Sequence, residues 1–143
     1  MEVIFKKNIR VAVEVESWQC AIEAAGSILV QNNDIKEEYV EAMIEAVNKL
    51  GPYIVLSPGF ALAHAEPSEY VLNNSMSLIT LKNPVSFGSV NDPVNVVLCL
   101  ACTDNTSHIE TLKTVASKLI IDGTIERMAK CSTDVELYEL INN

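Results

Sequence analysis

His64 and His108 are the only two imidazoles in this 143-residue chain, and each sits in a setting suited to a different part of phosphoryl chemistry. His64 lies in Ala61-Leu62-Ala63-His64-Ala65, after the turn-forming Ser57-Pro58-Gly59,. Its small flanking residues would let a bulky partner approach the ring. Near pH 7 a neutral imidazole keeps one nitrogen unprotonated, so it can attack phosphorus and later give the group up again. A hydrogen-bonded structural histidine in an apolar run fits the same residues, and both readings stand at this point.

His108 falls on the first turn of a helix that Thr106 and Ser107 are expected to open, with Ser107 and Glu110 in capping-box spacing,. A helix N-terminus disfavours imidazolium and offers unsatisfied backbone N–H groups to an oxyanion. Phosphoryl transfer is mainly positioning plus the spreading of charge over three oxygens, so an imidazole donor beside helix amides is suitable equipment. The alternative is an exposed first-turn residue with no chemical duty.

A hydrolytic metal held by His64, His108 and Asp104 is a third arrangement, and it fits poorly. The histidines are far apart and show neither H-x-E nor H-x-x-x-H spacing,. Cys99 and Cys102 form a C-x-x-C at the end of an apolar strand run, where period-two geometry sends the two side chains to opposite faces and no second pair completes a zinc site. With Cys20 and Cys131 they read as reduced thiols. No metal and no cofactor is expected.

The elements that must position these groups follow from periodicity. Asn8 to Val15 alternates as a first strand, and Ser17 caps a helix whose stripe is Trp18, Ala21, Ile22, Ala25, Ile28 and Leu29, ending at Asn32-Asn33,. Asp34 with Glu37 resembles a capping box for a second helix, carrying Tyr39, Val40, Met43, Ile44, Val47 and Leu50 and stopping at Gly51-Pro52,. Short strands are expected at Tyr53 to Leu56 and Phe60 to Ala65, then at Ser75 to Leu81 and Val94 to Ala101. The last is a nearly continuous apolar run, as in a strand buried on both faces. Pro84 to Pro93 reads as a loop with an edge strand at Val85 to Phe87. Three helices finish the chain: one with the stripe Ile109, Leu112, Val115, Ala116, Leu119 and Ile120, a short one over Asp122 to Lys130, and one capped by Thr133 with Glu136. The order implies a mixed α/β fold with a central sheet sandwiched by helices, and one domain over residues 1–143.

Composition narrows the partners. Ten Lys and Arg against 19 Asp and Glu give a net charge of -9, which argues against nucleic acid and anionic lipid and permits a basic protein partner. No apolar run reaches the roughly eighteen residues of a membrane span, and the N-terminus, with Lys6, Lys7 and Arg10, lacks a signal-peptide core,. A cytoplasmic protein is expected.

Tyr39-Val40-Glu41-Ala42-Met43, and then Gly51-Pro52-Tyr53-Ile54-Val55-Leu56-Ser57-Pro58-Gly59-Phe60-Ala61-Leu62-Ala63-His64-Ala65-Glu66-Pro67, resemble the mannitol/fructose class of enzyme IIA proteins of the sugar phosphotransferase system, most nearly its ascorbate-type subgroup. In that subgroup the helix before the site ends at Gly-Pro-Tyr and the phosphorylated histidine lies in Ala-Leu-Pro-His-Ala. Asn91-Asp92-Pro93-Val94 and Asp104 to His108, with Ile109 and Leu112, also look like the family, so the likeness runs from about Ser17 to Leu119. The resemblance implies an enzyme IIA type-2 domain in which His64 accepts phosphate from the phosphocarrier HPr and His108 is the second active-site histidine. It further implies a cysteine on a IIB component as the onward acceptor and an indirect link to a membrane IIC transporter, for ascorbate or a related substrate. The other reading of the same family is a regulatory module that docks a partner protein according to phosphorylation state.

Three positions depart from the pattern. Ala63 stands where the motif has proline, which removes a rigid element but no chemical group. Glu66 stands where ascorbate-type members commonly carry arginine; it would oppose a phosphate on His64, orient the ring, or point to solvent. The arginine that mannitol-type members have late in the preceding helix is absent, and Lys49 is the sole cation of Ala46 to Leu50.

Overall fold

The computed structural model describes residues 3–119 and 121–143; Ile120 and the side chain of His108 lie outside the described residues. The strands are β1 (Ile9–Val13), β2 (Val55–Ser57), β3 (Phe60–Ala63), β4 (Ser75–Val85) and β5 (Val94–Ala101). The helices are α1 (Trp18–Gln31), α2 (Glu37–Leu50), α3 (Asn105–Leu119), α4 (Thr124–Ala129) and α5 (Asp134–Asn142). The strands form one mixed sheet in the order β1-β4-β5-β3-β2. β1 runs parallel to β4 and β3 parallel to β5, while the β4–β5 and β2–β3 pairs are antiparallel.

Alternation along the central strands builds two cores. Val97, Cys99 and Ala101 of β5, with Ala61 and Ala63 of β3, face α1 and α2; Val96, Leu98, Leu100 and Cys102, with Phe60 and Leu62, face α3, α4 and α5. Apart from Asn95, β5 is apolar because both of its faces are covered,. Cys99 and Cys102 accordingly fall in different cores. Burial pushes the Cys99 thiol up to about 12 and raises that of Cys102, so both stay protonated near neutral pH.

α1 starts where Ser17 Oγ accepts the Cys20 N–H at 3.2 Å, as its sequence predicts,. Two other expected caps are replaced. α2 opens after Lys36, which makes no side-chain cap bond. The Asp34 carboxylate instead accepts from Asn73 Nδ2 at 3.1 Å, and its carbonyl accepts the Leu72 and Asn73 N–H groups, so Asp34 secures the segment that follows His64. α3 is capped not by Ser107 but by Asp104, whose Oδ1 accepts the Ser107 N–H at 2.7 Å while Oδ2 accepts the Ser107 hydroxyl at 3.2 Å. The expected edge strand near Val85 is continuous with β4, where Val85 pairs with Val94. On α3, Val115 and Leu119 are buried but Ile109 is 53% exposed.

α1 and α2 cross at Gly26. A Cβ there would lie 2.7 Å from Val40 Cγ2, closer than two carbons can sit. Gly26→Ala is expected to lower stability by about 1 kcal/mol in urea unfolding, because overpacking of about 1–3 kcal/mol outweighs the helix propensity gained. An unchanged or raised midpoint would contradict this crossing.

Candidate functional site

β3 and β5 are parallel neighbours, with Ala63 level with Cys99. Their carboxyl ends therefore open onto the same edge of the sheet, the usual place for a site in α/β folds. His64 is the residue after β3, and α3 begins four residues after β5. Between them lies a cleft of about 230 Å³ lined by Ala46, Leu50, Tyr53, His64, Glu66 and Asn105, among others. The fold thus brings His64 to the first residue of α3. His108 lies in the first turn of that helix; its side chain is outside the described residues.

His64 is half-buried. Its Nδ1 is 2.7 Å from the carbonyl oxygen of Leu62. A carbonyl can only accept, so Nδ1 carries the proton, and in the neutral ring Nε2 then holds the lone pair.

Two tyrosines hold the peptide on either side. Tyr53 donates its hydroxyl to the His64 carbonyl at 3.2 Å, and its ring meets the imidazole edge to face, with centroids 5.4 Å apart and planes at 81°. Burial first, and the Glu66 carboxylate second, raise the Tyr53 pKa. Tyr39 of α2 is buried beneath the site. Its oxygen accepts the Ala65 N–H at 3.0 Å, and its proton is shared between the carbonyls of Ala65 and Leu100, each 3.0 Å away. Burial raises its pKa well above the ordinary tyrosine range.

Charge in the cleft is spare. No Lys or Arg is among the residues described as lining it, and Lys49 is exposed on the last turn of α2. Glu66 is exposed at the rim, which matches the solvent-facing alternative for it. An anion on His64 would therefore rely on the amino end of α3 for favourable electrostatics. That end is held by Asp104, whose carboxyl sits below its usual range chiefly because it accepts the Ser107 N–H. Among the described residues no group of three or more His, Cys, Asp or Glu is arranged to hold a metal, and no helix is long and apolar enough to cross a membrane.

Sequence reasoning singled out His64 and His108 but missed Tyr39, Tyr53 and Asn105. Tyr39 had one signal: a phenol inside an otherwise aliphatic stripe has a hydroxyl that must find a partner when buried. Tyr53 stands in the Gly51-Pro52-Tyr53 motif that ends α2, but its approach to His64, like that of Asn105, depends on how the ends of α2 and β5 are packed.

The family described as phosphoenolpyruvate-dependent sugar phosphotransferase system, EIIA 2, matches residues 2–143. The ascorbate-specific PTS system EIIA component of Escherichia coli K12 is 33% identical over 138 residues, covering 95% of this chain and 90% of that protein. Among solved structures, the mannitol-specific cryptic phosphotransferase enzyme IIA CmtB from Escherichia coli superimposes with a TM-score of 0.89 at 28% identity, covering 99% of this chain and 98% of the other. A complex of enzyme IIAMTL with phosphorylated enzyme IIBMTL, also from Escherichia coli, superimposes with a TM-score of 0.84 at 26% identity, covering 96% of each chain.

Proposed function

This chain belongs to the EIIA 2 family of the phosphoenolpyruvate-dependent sugar phosphotransferase system, and from that premise we propose that it is a phosphohistidine relay, taking a phosphoryl group from HPr on His64 and passing it to a IIB component. The observation that carries the reading is the 2.7 Å approach of His64 Nδ1 to the Leu62 carbonyl in an open cleft beside the start of α3. With Nδ1 protonated and held, Nε2 is the nucleophile. In the first step the Nε2–P bond forms as the bond from phosphorus to the donor breaks; in the second, a nucleophile on IIB attacks phosphorus and Nε2 leaves with its electron pair. In this mechanism the His108 side chain disperses charge on the phosphoryl oxygens, while the Ser107 amide of α3 stays with Asp104,.

The protein has no need to touch the sugar, so substrate identity resides in the choice of IIB. Likeness to an ascorbate-specific component supports an ascorbate-type IIB as the acceptor, with HPr and the IIC transporter completing the route. The test is incubation with phosphoenolpyruvate, enzyme I and HPr, followed by a chase with IIB. One acid-labile phosphoryl group per chain is expected, discharged by an ascorbate-type IIB at least about tenfold faster than by a mannitol-type IIB, a difference of about 1.4 kcal/mol in barrier. No label under conditions that charge a known IIA protein would refute the relay. Glu66 at the rim favours a second reading, a regulatory module that docks a partner by phosphorylation state. Labelling with no discharge to any IIB would select it.

A further inference from the structure

Tyr53 is placed by the way α2 ends. Gly51 takes φ +85° at the helix terminus, a conformation that disfavours any side chain, and its N–H still donates to the Val47 carbonyl at 2.8 Å,. The Tyr53 N–H then donates to the Gly51 carbonyl at 2.8 Å, which closes a tight reversal and returns the phenol ring over His64. The Tyr53 side chain thereby meets the histidine twice, through its hydroxyl on the peptide carbonyl and through its ring edge on the imidazole.

We propose that Tyr53 is a positioning residue for His64, its ring limiting rotation of the imidazole and its hydroxyl fixing the peptide, so that Nε2 meets incoming phosphorus in line; the proposal deepens the relay reading and rests on it. The torsion that turns a histidine ring about its Cβ–Cγ bond is broad and sets no sharp angle by itself. The Leu62 carbonyl restrains one nitrogen, and an edge-to-face neighbour restrains the plane. Because Tyr53 is 37% exposed, removing it opens no closed cavity, and its effect on the reaction can be separated from its effect on folding. The Tyr53 hydroxyl also remains a donor through the neutral range, since burial and Glu66 hold its proton on.

The experiment compares Tyr53→Ala and Tyr53→Phe with the unmodified chain. It measures initial labelling rate against HPr concentration, the ¹⁵N shifts of the His64 ring, and the thermal midpoint. Tyr53→Ala is expected to lower the saturating rate by about 10- to 100-fold, the scale of a misplacement near 1 Å. It should shift the ring nitrogens toward a mixture of tautomers and leave the HPr concentration for half-maximal rate within about twofold. Tyr53→Phe, which keeps the ring edge, should recover most of the rate. Wild-type rate and wild-type ring shifts in Tyr53→Ala would overturn the proposal. So would a loss confined to the HPr concentration dependence, which would make Tyr53 a docking residue, or a rate loss matched by a collapse of the thermal midpoint. Were the unmodified chain itself to take no label, the relay reading would fall, while the ring shifts would still decide whether Tyr53 orients His64.

Discussion

His64→Ala is expected to reduce acid-labile labelling to the level of a reaction without the protein, because the substitution removes the only atom that can carry the phosphoryl group in the proposed relay. His108→Ala should behave differently. In the proposed relay it deletes a donor that would stabilise charge in transit, an expected loss of about 10²- to 10³-fold in rate, and leaves the acceptor in place, so slow labelling continues to completion. The contrast between no acceptor and a slow acceptor is what the reading requires. Thermal unfolding supplies the control. His64 is half-buried, and the interactions its replacement forfeits include the bond to the Leu62 carbonyl and the Tyr53 ring contact, so the variant should keep its cooperative transition, weakened by about 1–2 kcal/mol. Full labelling of His64→Ala would move the chemistry to another residue and end the proposal.

The second large effect concerns stability, and it lies one layer beneath the site. Tyr39→Phe removes a single oxygen and keeps the ring, so no large cavity forms. It nevertheless leaves the Ala65 N–H without its acceptor and the Ala65 and Leu100 carbonyls without their donor, all in the interior. An unsatisfied buried group costs about 1–3 kcal/mol. For a chain of this size the thermal midpoint should fall by about 5–10 °C. The tyrosine ties three segments together: α2, the peptide after His64, and the end of β5 that leads to α3. The labelling rate should therefore fall as well, since His64 and the first turn of α3 lose their common anchor. A midpoint within about 1 °C of the parent would show that Ala65 and Leu100 are satisfied without Tyr39.

Much of the scaffold was readable from residue pattern. Ser17 begins α1 because a serine hydroxyl ahead of an apolar stripe accepts a free helix N–H,. β5 was recognisable because seven apolar or small residues in a run of eight, broken only by Asn95, suit a strand covered on both sides,. Two caps were misread for one reason: several side chains near each helix start could serve, and their neighbours in space decide. Asp34 is drawn to Asn73, which is distant in sequence, so α2 starts at Glu37 without it. Asp104 takes the Ser107 N–H, and Ser107 becomes the residue that is capped rather than the cap. β4 was read too short because its outer part runs on through Lys82, Asn83 and Pro84 to pair at Val85, where solvent exposure hides the strand from a hydrophobicity pattern.

By itself the sequence determined the mixed α/β order, the opposite facing of Cys99 and Cys102, and the two histidines as candidates, since each depends on local periodicity or on residue type alone. Only tertiary structure decided that His64 sits at the mouth of parallel strands beside the first turn of α3, with Nδ1 committed to Leu62, Tyr53 against the ring and Tyr39 below. The reason is physical. Hydrogen-bond partners and ring contacts between segments far apart in the chain are set by packing of the sheet against its helices, and local pattern carries no record of which distant group will fill each place.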